Sequence, residues 1–494
     1  MIRPVLVAIG EICDRPVDLT QGLDPIGLMA AAARRAEEDL GQPVLARVDA
    51  LEVVHQISWR YEDTARRLCE RLGVSPPRAV YHPGGGDSPL HILHEAALRI
   101  ARGESRIALI CGGEAQNTAK KARAEGLELP WPRRARLMEH PWDVEHKIGA
   151  MGRAHGLAQP TYIYPLYENA TLHAWGQTPS QAQAESAELW ARYAQVAATN
   201  PFAWQRKPKS ADEIATVAPS NPLIAWPYPR LMVANPTVNQ GAAVIVMAEA
   251  LADELAIPHA RRVHLAGGAA AREPDDYLHR NGYTSCPAQQ VVLDAARAFA
   301  PETGFDALEL YSCFPCVPKM ARRQLGLGTD VEPTVTGGLT FFGGPFNDYM
   351  LHAACAMIRR LRGTSQTGLL YGQGDFVTKH HALIFSGAPC AAPLDQDYRL
   401  DDAADAVRGT LPSVVEQAQG LGQLETFTIL PDRQGGFARG VAVLRTAEGA
   451  RTMARVVPDD RVTLAMLSDP LRSPIGSRGP MTTAADGLLE WTLA

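Results

Sequence analysis

The chain has 494 residues, 46% of them hydrophobic and 21% charged, which is typical of a globular protein with roughly two to four domains. Its net charge of −6 gives no electrostatic reason to expect a nucleic acid or an anionic membrane as partner. No apolar run reaches the ~20 residues that span a bilayer. The apolar N-terminal stretch, interrupted by Glu11 and Asp14, is interpreted as a buried strand and not as a signal peptide. With eight scattered cysteines, this predicts a cytoplasmic protein with reduced thiols.

The first part of the chain alternates between strand and helix patterns. Apolar residues at helical spacing predict a helix at Pro25–Leu40, which Gly41 ends, and a short strand is predicted at Arg78–Tyr81. Alternation of this kind favours a largely parallel sheet covered by helices on both faces.

A glycine cluster, an apolar helix, a strand and a second glycine cluster follow one another in residues 82–114, and the same order recurs in residues 341–375. In the first copy Ser88 is predicted to cap the helix; in the second, Asn347 is predicted to cap it, with Asp348 in the first turn. The pair predicts a duplicated fold with two helix N-termini suited to anions. The alternative is that both clusters are tight turns needed for packing.

Composition divides the chain into four predicted units. Residues 118–227 are rich in Trp, Tyr and Pro, carry one clear helix at 182–198, and are interpreted as an inserted loop domain with substrate contacts. Residues 1–117 with 228–256 form the first half of the core, and residues 257–390 form the second. Short alternating segments in residues 391–494 predict a small β domain.

These motifs occur in the order used by one superfamily. The helix starting at Ser88, the strand ending in CGGE, VNQGAAVIVM, ELYSCF, GGP and the last glycine cluster resemble a thiolase over roughly residues 4–386. The GGDSP, ELYSCFP, GGP and TKHH segments, with the β tail, most resemble sterol-carrier-protein-type thiolases and the type 1 thiolase-like proteins. The resemblance implies an α/β, duplicated, five-layer αβαβα fold with an OB-like C-terminal domain. It also implies a CoA-thioester pocket where the two repeat helices meet.

The motif residues that carry thiolase chemistry are replaced in this chain. Gly86 stands where the family has its nucleophilic cysteine, which needs a helix N-terminus to stabilise the thiolate. Gly344 replaces the histidine of G-H-P, and the second cysteine falls at Leu370 or Tyr371. In the H-D-C-F motif, His and Asp become Tyr311 and Ser312, while Cys313 remains. Cysteine-based thiolysis at position 86 is therefore excluded, although the family activity is that of an acetyl-CoA acetyltransferase.

Three functional interpretations remain open. The first is a CoA-thioester enzyme with altered chemistry, in which Tyr311 moves the proton; Asn347, Asp348 and His380 are its expected neighbours. It resembles the thiolase-like aldolases that cleave a β-hydroxyacyl-CoA and pair with an OB-fold partner. The second keeps acyl transfer and moves the nucleophile to Cys313. The third is a non-catalytic CoA- or acyl-CoA-binding protein.

The predicted site follows from these interpretations. The candidate catalytic residues are Tyr311, Ser312, Cys313, Asn347 and His380. The candidates for oxyanion or substrate binding are Gly86, Asp87, Ser88, Gly343, Gly344, Gly372 and Gly374. Arg133, Arg134 and Arg136 are candidates for contacts with the CoA phosphates.

Several further expectations complete the functional prediction. CoA or acyl-CoA is expected as the substrate, within lipid metabolism, with no tightly bound cofactor and no metal. His91 and His94 are interpreted as an ordinary helix surface, and Cys313 with Cys316 as reduced thiols and not a redox or zinc motif. No nucleic-acid or membrane partner is expected, and both a homodimer and a monomer remain possible.

Overall fold

The computed structural model describes residues 2–141, 144–302, 304–390, 392–432 and 436–493. The strands of these residues are β1 (Pro4–Cys13), β2 (Ala50–Val53), β3 (Arg78–Tyr81), β4 (Ile107–Ala115), β5 (Leu223–Ala225), β6 (Tyr228–Pro229), β7 (Asn239–Ala248), β8 (Val263–Arg272), β9 (Ala307–Leu310), β10 (Thr367–Gly374), β11 (Lys379–Ser386), β12 (Leu421–Pro431), β13 (Phe437–Arg445), β14 (Arg451–Val456), β15 (Arg478–Thr483) and β16 (Leu489–Trp491). The helices are α1 (Pro25–Leu40), α2 (Thr64–Leu72), α3 (Ser88–Ala101), α4 (Gln116–Glu125), α5 (Val144–Lys147), α6 (Ala150–Ala154), α7 (Pro160–Ala174), α8 (Pro179–Thr199), α9 (Ala211–Ala215), α10 (Glu249–Glu254), α11 (Pro287–Arg297), α12 (Cys316–Gln324), α13 (Tyr349–Leu361), α14 (Asp401–Arg408) and α15 (Arg461–Leu467).

A central sheet runs in the order β3-β2-β4-β7-β1-β8-β11-β10-β9. It is mixed, and the expectation of a largely parallel sheet was wrong. Pairing is parallel only near the two edges, among β2, β3 and β4 and between β9 and β10. Every pair between β4 and β10 is antiparallel, because the two halves of the chain join side by side through β1 and β8.

The two halves repeat one another around two central helices. The strands β1, β7, β4 and β2 correspond in order to β8, β11, β10 and β9, and β2 and β9 share the residues Ala-Leu-Glu. The buried helices α3 and α13 pack on each other and against strands of both half-sheets, while α1 and α11 cover the outer faces. The five-layer thiolase arrangement is therefore confirmed.

The side chains expected to cap the two central helices hold the first glycine turn instead. The residue before α3 is Asp87, and Ser88 donates its hydroxyl hydrogen to the carbonyl of Gly85 (2.7 Å). Asn347 lies in a short 3₁₀ turn before α13, and its side-chain oxygen accepts the N–H of Gly85 (2.9 Å). The two helix starts are thereby fixed to each other.

The inserted region contains more helix than the sequence predicted. The predicted helix at 182–198 corresponds to α8, but the aromatic-rich segment before it also forms a helix, α7, despite Pro165 in its interior. Aromatic residues and proline have low helix propensity, so the pattern favoured a loop. Burial of most of α7 against β12 and neighbouring elements outweighs that propensity.

The C-terminal strands form a separate closed barrel in the order β12-β13-β14-β16-β15. Its inner side chains, including Phe427 and Trp491, make a second hydrophobic core. The barrel is fixed to the inserted region through backbone groups: Asn169 donates to the carbonyl of Phe427 (2.9 Å), and the N–H of Trp226 to that of Ile429 (2.9 Å). Within the described part of the chain, no helix is both long and apolar enough to cross a bilayer.

Candidate functional site

The glycine turn at residues 84–86 is pinned where α3 and α13 meet. Asn347 accepts the N–H of Gly85 and donates from its amide nitrogen to the carbonyl of His55 (3.2 Å). No described residue accepts a hydrogen bond from the N–H of Gly86 or of Asp87. Two neighbouring N–H groups at a helix start, without protein partners, are suited to a developing negative charge on an oxygen.

Tyr311 occupies the space that a side chain at position 86 would need. A Cβ atom on Gly86 would lie less than 3.0 Å from the Tyr311 hydroxyl oxygen and from the Gln373 carbonyl oxygen. Tyr311 is only 6% exposed, yet its hydroxyl has no hydrogen-bond partner among the described residues. Burial, with smaller contributions from Cys313 and Asp87, raises the pKa of this phenol well above its usual value. A protonated hydroxyl thus faces the turn at which the sequence resemblance predicts the thiolase nucleophile.

The other two residues of the replaced motif have different surroundings. The Cys313 thiol donates to the side-chain oxygen of Gln373 (3.7 Å), and burial raises its pKa to about 12. No histidine or carboxylate among the described residues is hydrogen-bonded to this thiol. The Ser312 hydroxyl oxygen accepts the N–H of Leu339 (3.2 Å), which fixes the segment leading to the second glycine cluster. The structure therefore places Ser312 in a supporting position.

The remaining glycines of the predicted site allow close backbone approaches. Gly343 has a φ of 121°, and a Cβ there would lie 2.5 Å from the side-chain oxygen of Gln240. Gly344 donates its N–H to the carbonyl of Asn235 (2.9 Å), and the atom nearest to a Cβ there would be 3.3 Å away. Gly372 and Gly374 lie in β10 and pack on Asp87. Gly374 in particular has no room for a side chain beside the Asp87 carboxylate.

His380 is not brought to Tyr311; it belongs to a second polar cluster. Its Nε2 lies 3.1 Å from the Cys286 sulfur, and its Nδ1 lies 2.7 Å from the Tyr371 hydroxyl, which Gln289 also contacts. Burial lowers the pKa of His380 to about 4 and raises that of Cys286 to about 12. Both groups are therefore neutral near pH 7. Sequence reasoning missed Cys286, whose one local signal is its place directly before Pro287 at the start of α11.

The turn between β10 and β11 closes the site from the side of α7. The Tyr164 hydroxyl lies within hydrogen-bond distance of two acceptors, the Gln373 side-chain oxygen (2.9 Å) and the Asp375 carbonyl oxygen (2.7 Å). Its ring stacks on Phe314, with the centroids 4.3 Å apart. Lys147 and Lys379 pair with Asp375 and hold its pKa below the usual range against the effect of burial. The aromatic segment of the inserted region thus forms a wall of the site.

His94, expected on a helix surface, is completely buried. Its Nδ1 lies 3.1 Å from Nε2 of His381, and its ring packs on Tyr398 at a centroid distance of 4.1 Å. His91, which the same expectation covered, is half-buried, and its Nδ1 lies 3.1 Å from the Tyr398 hydroxyl. Burial lowers the pKa of His94 to about 3, so the imidazole is neutral in the folded chain.

This burial predicts a loss of stability in mild acid. Between pH 6.5 and about 3 the unfolded chain binds a proton at His94 that the folded chain does not, so the free energy of unfolding falls as the pH falls. From pH 6.5 to 5.0, the wild type should lose about 2 kcal/mol more than His94→Gln, measured by urea unfolding. His173→Gln, at an exposed histidine, should keep the wild-type slope. Equal slopes for all three chains would refute the assignment.

One solved structure is similar to this chain over its whole length. A monomeric SCP2-thiolase-like protein type 1 from Mycobacterium smegmatis shares 29% identity, matches 100% of this chain and 99% of its own, and has a TM-score of 0.83. The chain belongs to the thiolase-like superfamily. This thiolase-like chain also has the fold of an Ltp2–ChsH2(DUF35) aldolase (17% identity, 78% of this chain and 98% of that one, TM-score 0.56).

A thiolase structure solved in complex with coenzyme A has the same fold as this chain. The Acat5 thiolase from Ascaris suum, solved in complex with coenzyme A, shares 14% identity over 78% of the thiolase-like chain and 99% of its own, with a TM-score of 0.55. No protein-family model matches the sequence, and no curated protein matches it. At this low identity the aldolase and the Acat5 thiolase indicate fold alone.

Proposed function

We propose that this chain makes or breaks a carbon–carbon bond next to the carbonyl of a CoA thioester, in the manner of an aldolase acting on a β-hydroxyacyl-CoA. The reacting group is Tyr311, and no acyl-enzyme forms at position 86. The N–H groups of Gly86 and Asp87 stabilise the thioester oxygen as it gains negative charge.

One observation carries this proposal: the unpartnered Tyr311 hydroxyl lies against the glycine turn at the place of the missing nucleophile. No hydrogen bond to a described residue occupies this hydroxyl, so it is available to donate to or accept from a substrate oxygen. Thiolysis needs a thiolate at this point, whereas an aldol reaction needs only a proton donor and acceptor beside an oxyanion site.

Every proton transfer of this reaction can pass through the Tyr311 hydroxyl. In the addition direction, the Tyr311 phenolate takes the α-proton of the thioester, the enolate carbon that results attacks a carbonyl, and the Tyr311 phenol gives the proton to the alkoxide that forms. In the cleavage direction, the phenolate takes the proton of the β-hydroxyl as the carbon–carbon bond breaks, and the phenol then returns that proton to the α-carbon of the enolate. Because the pKa of Tyr311 is raised, the cleavage rate should increase with pH through the neutral range.

Acyl transfer through Cys313 is the weaker candidate. Its thiol pKa is raised to about 12, and its contact with the Gln373 amide oxygen provides no base to remove the proton. The third interpretation, a CoA-binding protein without catalysis, predicts binding but no turnover.

The similar structures support a role in CoA-thioester chemistry. An aldolase and a thiolase solved with coenzyme A share the fold, and a full-length relative is a thiolase-like protein. The barrel order β12-β13-β14-β16-β15 supports the OB-type assignment. We retain the four domain limits, the cytoplasmic location, the role in lipid metabolism and the absence of nucleic-acid or membrane partners as proposals. The relative described as monomeric favours a monomer over a homodimer.

The test combines binding, product analysis and mass spectrometry. Calorimetry with CoA and acetyl-CoA should show binding, and β-hydroxyacyl-CoA substrates of different chain lengths should release an aldehyde or ketone and a shorter acyl-CoA. The intact protein should keep its mass after incubation with acetyl-CoA. A stable acetyl adduct at Cys313 would contradict the proposal in favour of acyl transfer. Binding without turnover of any β-hydroxyacyl-CoA would favour the non-catalytic interpretation.

The arginines of residues 133–136 provide a further prediction about CoA. Arg134 is exposed, lies over the Trp59 ring at 5.4 Å, and forms no ion pair with a described residue. Burial and the positive charges of Arg60 and Arg123 lower its pKa, so a bound phosphate would relieve the repulsion among these arginines. Arg134→Ala should weaken CoA binding about 5-fold, equivalent to roughly 1 kcal/mol. Dephospho-CoA is the control ligand: a smaller loss for it would assign the contact to the 3′-phosphate and an equal loss to the diphosphate, whereas unchanged affinity for both ligands would refute a phosphate contact.

A further inference from the structure

The turn between β10 and β11 directly follows the strand end that packs on the glycine turn, and the backbone conformation of the β10–β11 turn is unfavourable. Asp375 has a φ of 53° and Val377 a φ of 59°, although a β-branched residue rarely adopts the left-handed region. Phe376 and Val377 have no exposed surface. Such a conformation persists only where surrounding contacts enforce it.

Arg280 makes some of the contacts that hold this backbone conformation. Its side chain is 1% exposed, and its Nη1 donates to the Tyr167 hydroxyl (2.6 Å) and to the carbonyls of Phe376 (3.4 Å) and Val377 (3.3 Å). Tyr167 in turn donates its hydroxyl hydrogen to the Phe376 carbonyl (2.6 Å). The carbonyls of the strained turn are thus bound from α7 and from the segment that follows β8.

A second buried arginine, from the C-terminal barrel, fixes the segment that carries Arg280. Arg451 lies in β14 with no exposed surface. Its Nη1 donates to the carbonyls of Leu278 and Arg280 (2.5 Å each) and its Nη2 to that of Asn281 (3.2 Å). The Glu425 carboxylate of β12 pairs with Arg451 and also with Arg445. A planar guanidinium that binds several carbonyls leaves this segment little freedom.

We propose that Arg451 and Arg280 are positioning residues through which the C-terminal barrel sets the place of the β10–β11 turn. Gln373 lies at the end of β10, next to the turn, and its carbonyl oxygen lies against Gly86 beside Tyr311, so a displaced turn would shift this strand end and open the proposed reaction site. The barrel is therefore part of the catalytic architecture and not an independent appendage. The expected change in kcat rests on the proposed function, whereas the connection from the barrel to the turn through Arg451 and Arg280 does not.

The test replaces Arg451 by Met in the full chain. Glu425 keeps Arg445 as its partner, so the variant leaves no unpaired buried carboxylate. Hydrogen exchange of peptides covering residues 372–381 should accelerate about 10-fold or more, while peptides of α1 stay protected. With an active β-hydroxyacyl-CoA substrate, kcat should fall about 10-fold and KM should stay within about 2-fold.

Arg455→Met is the matched control, because Arg455 lies on the same strand but pairs with Asp486 and Glu490 of the barrel. Exchange at residues 372–381 should not change in this control. Arg280→Lys distinguishes a displaced turn from an unfolded barrel. In this variant, exchange at residues 372–381 should accelerate while peptides of β12–β14 remain protected. Unchanged exchange of the turn in both Arg451→Met and Arg280→Lys would overturn the inference. Because exchange needs no substrate, an inactive wild type would count only against the proposed function.

Discussion

Replacing Tyr311 by Phe should reduce turnover of a β-hydroxyacyl-CoA by ~10²–10⁴, the usual contribution of a positioned acid or base. The substitution removes only the hydroxyl that faces Gly86 and leaves the ring in its edge contact with Tyr349 (5.9 Å). CoA affinity should change by less than about 2-fold, because the phenol acts on the reacting carbons and not on the nucleotide. Steady-state kinetics and calorimetry on the same preparation provide both quantities.

The control for this experiment is a buried tyrosine elsewhere. Tyr277 is fully buried and donates to the Leu157 carbonyl (3.2 Å), so Tyr277→Phe measures the general cost of losing a buried hydroxyl. It should retain nearly full turnover. Cys313→Ala should also retain most of the rate. The reverse result, with an active Tyr311→Phe and an inactive Cys313→Ala, would transfer the essential role to the thiol.

Restoring the missing nucleophile with Gly86→Cys should destabilise the fold and yield no acyl-enzyme. The new Cβ would overlap both the Tyr311 hydroxyl and the Gln373 carbonyl oxygen, and the second of these is backbone and cannot rotate away. Inserting atoms into a packed site typically costs about 1–3 kcal/mol. Urea unfolding should show this loss, and intact-protein mass spectrometry after incubation with acetyl-CoA should show no adduct.

The matched control is Gly344→Ala, at the other replaced motif position. The nearest atom to its new Cβ would be 3.3 Å away, and Gly344 does not have a left-handed φ. This variant should change the free energy of unfolding by less than about 1 kcal/mol. If Gly86→Cys folded with the wild-type midpoint and became acetylated, the site would still be a thiolase site lacking only its thiol, and the Tyr311 proposal would lose its basis.

The sequence alone determined the duplicated architecture. Helix periodicity with a terminal glycine placed α1 correctly at Pro25–Leu40, and the order of the glycine clusters predicted both central helices. These signals are local, because the residues that define a helix face or a turn lie close together in the sequence. The assignment of Gly86 to the position of the thiolase cysteine also comes from the sequence and stays a prediction.

The composition of the site was decided only by the tertiary structure. Tyr311 meets Gly86 and Asn347 meets Gly85 through the docking of the two halves. His380 contacts Cys286 within the second half, across 94 residues of sequence. Local patterns treated α7 as a loop and Ser88 and Asn347 as helix caps, because propensity and capping rules consider only neighbours along the chain. Long-range packing supplied the competing partners: a buried surface for α7 and the backbone of Gly85 for both polar side chains.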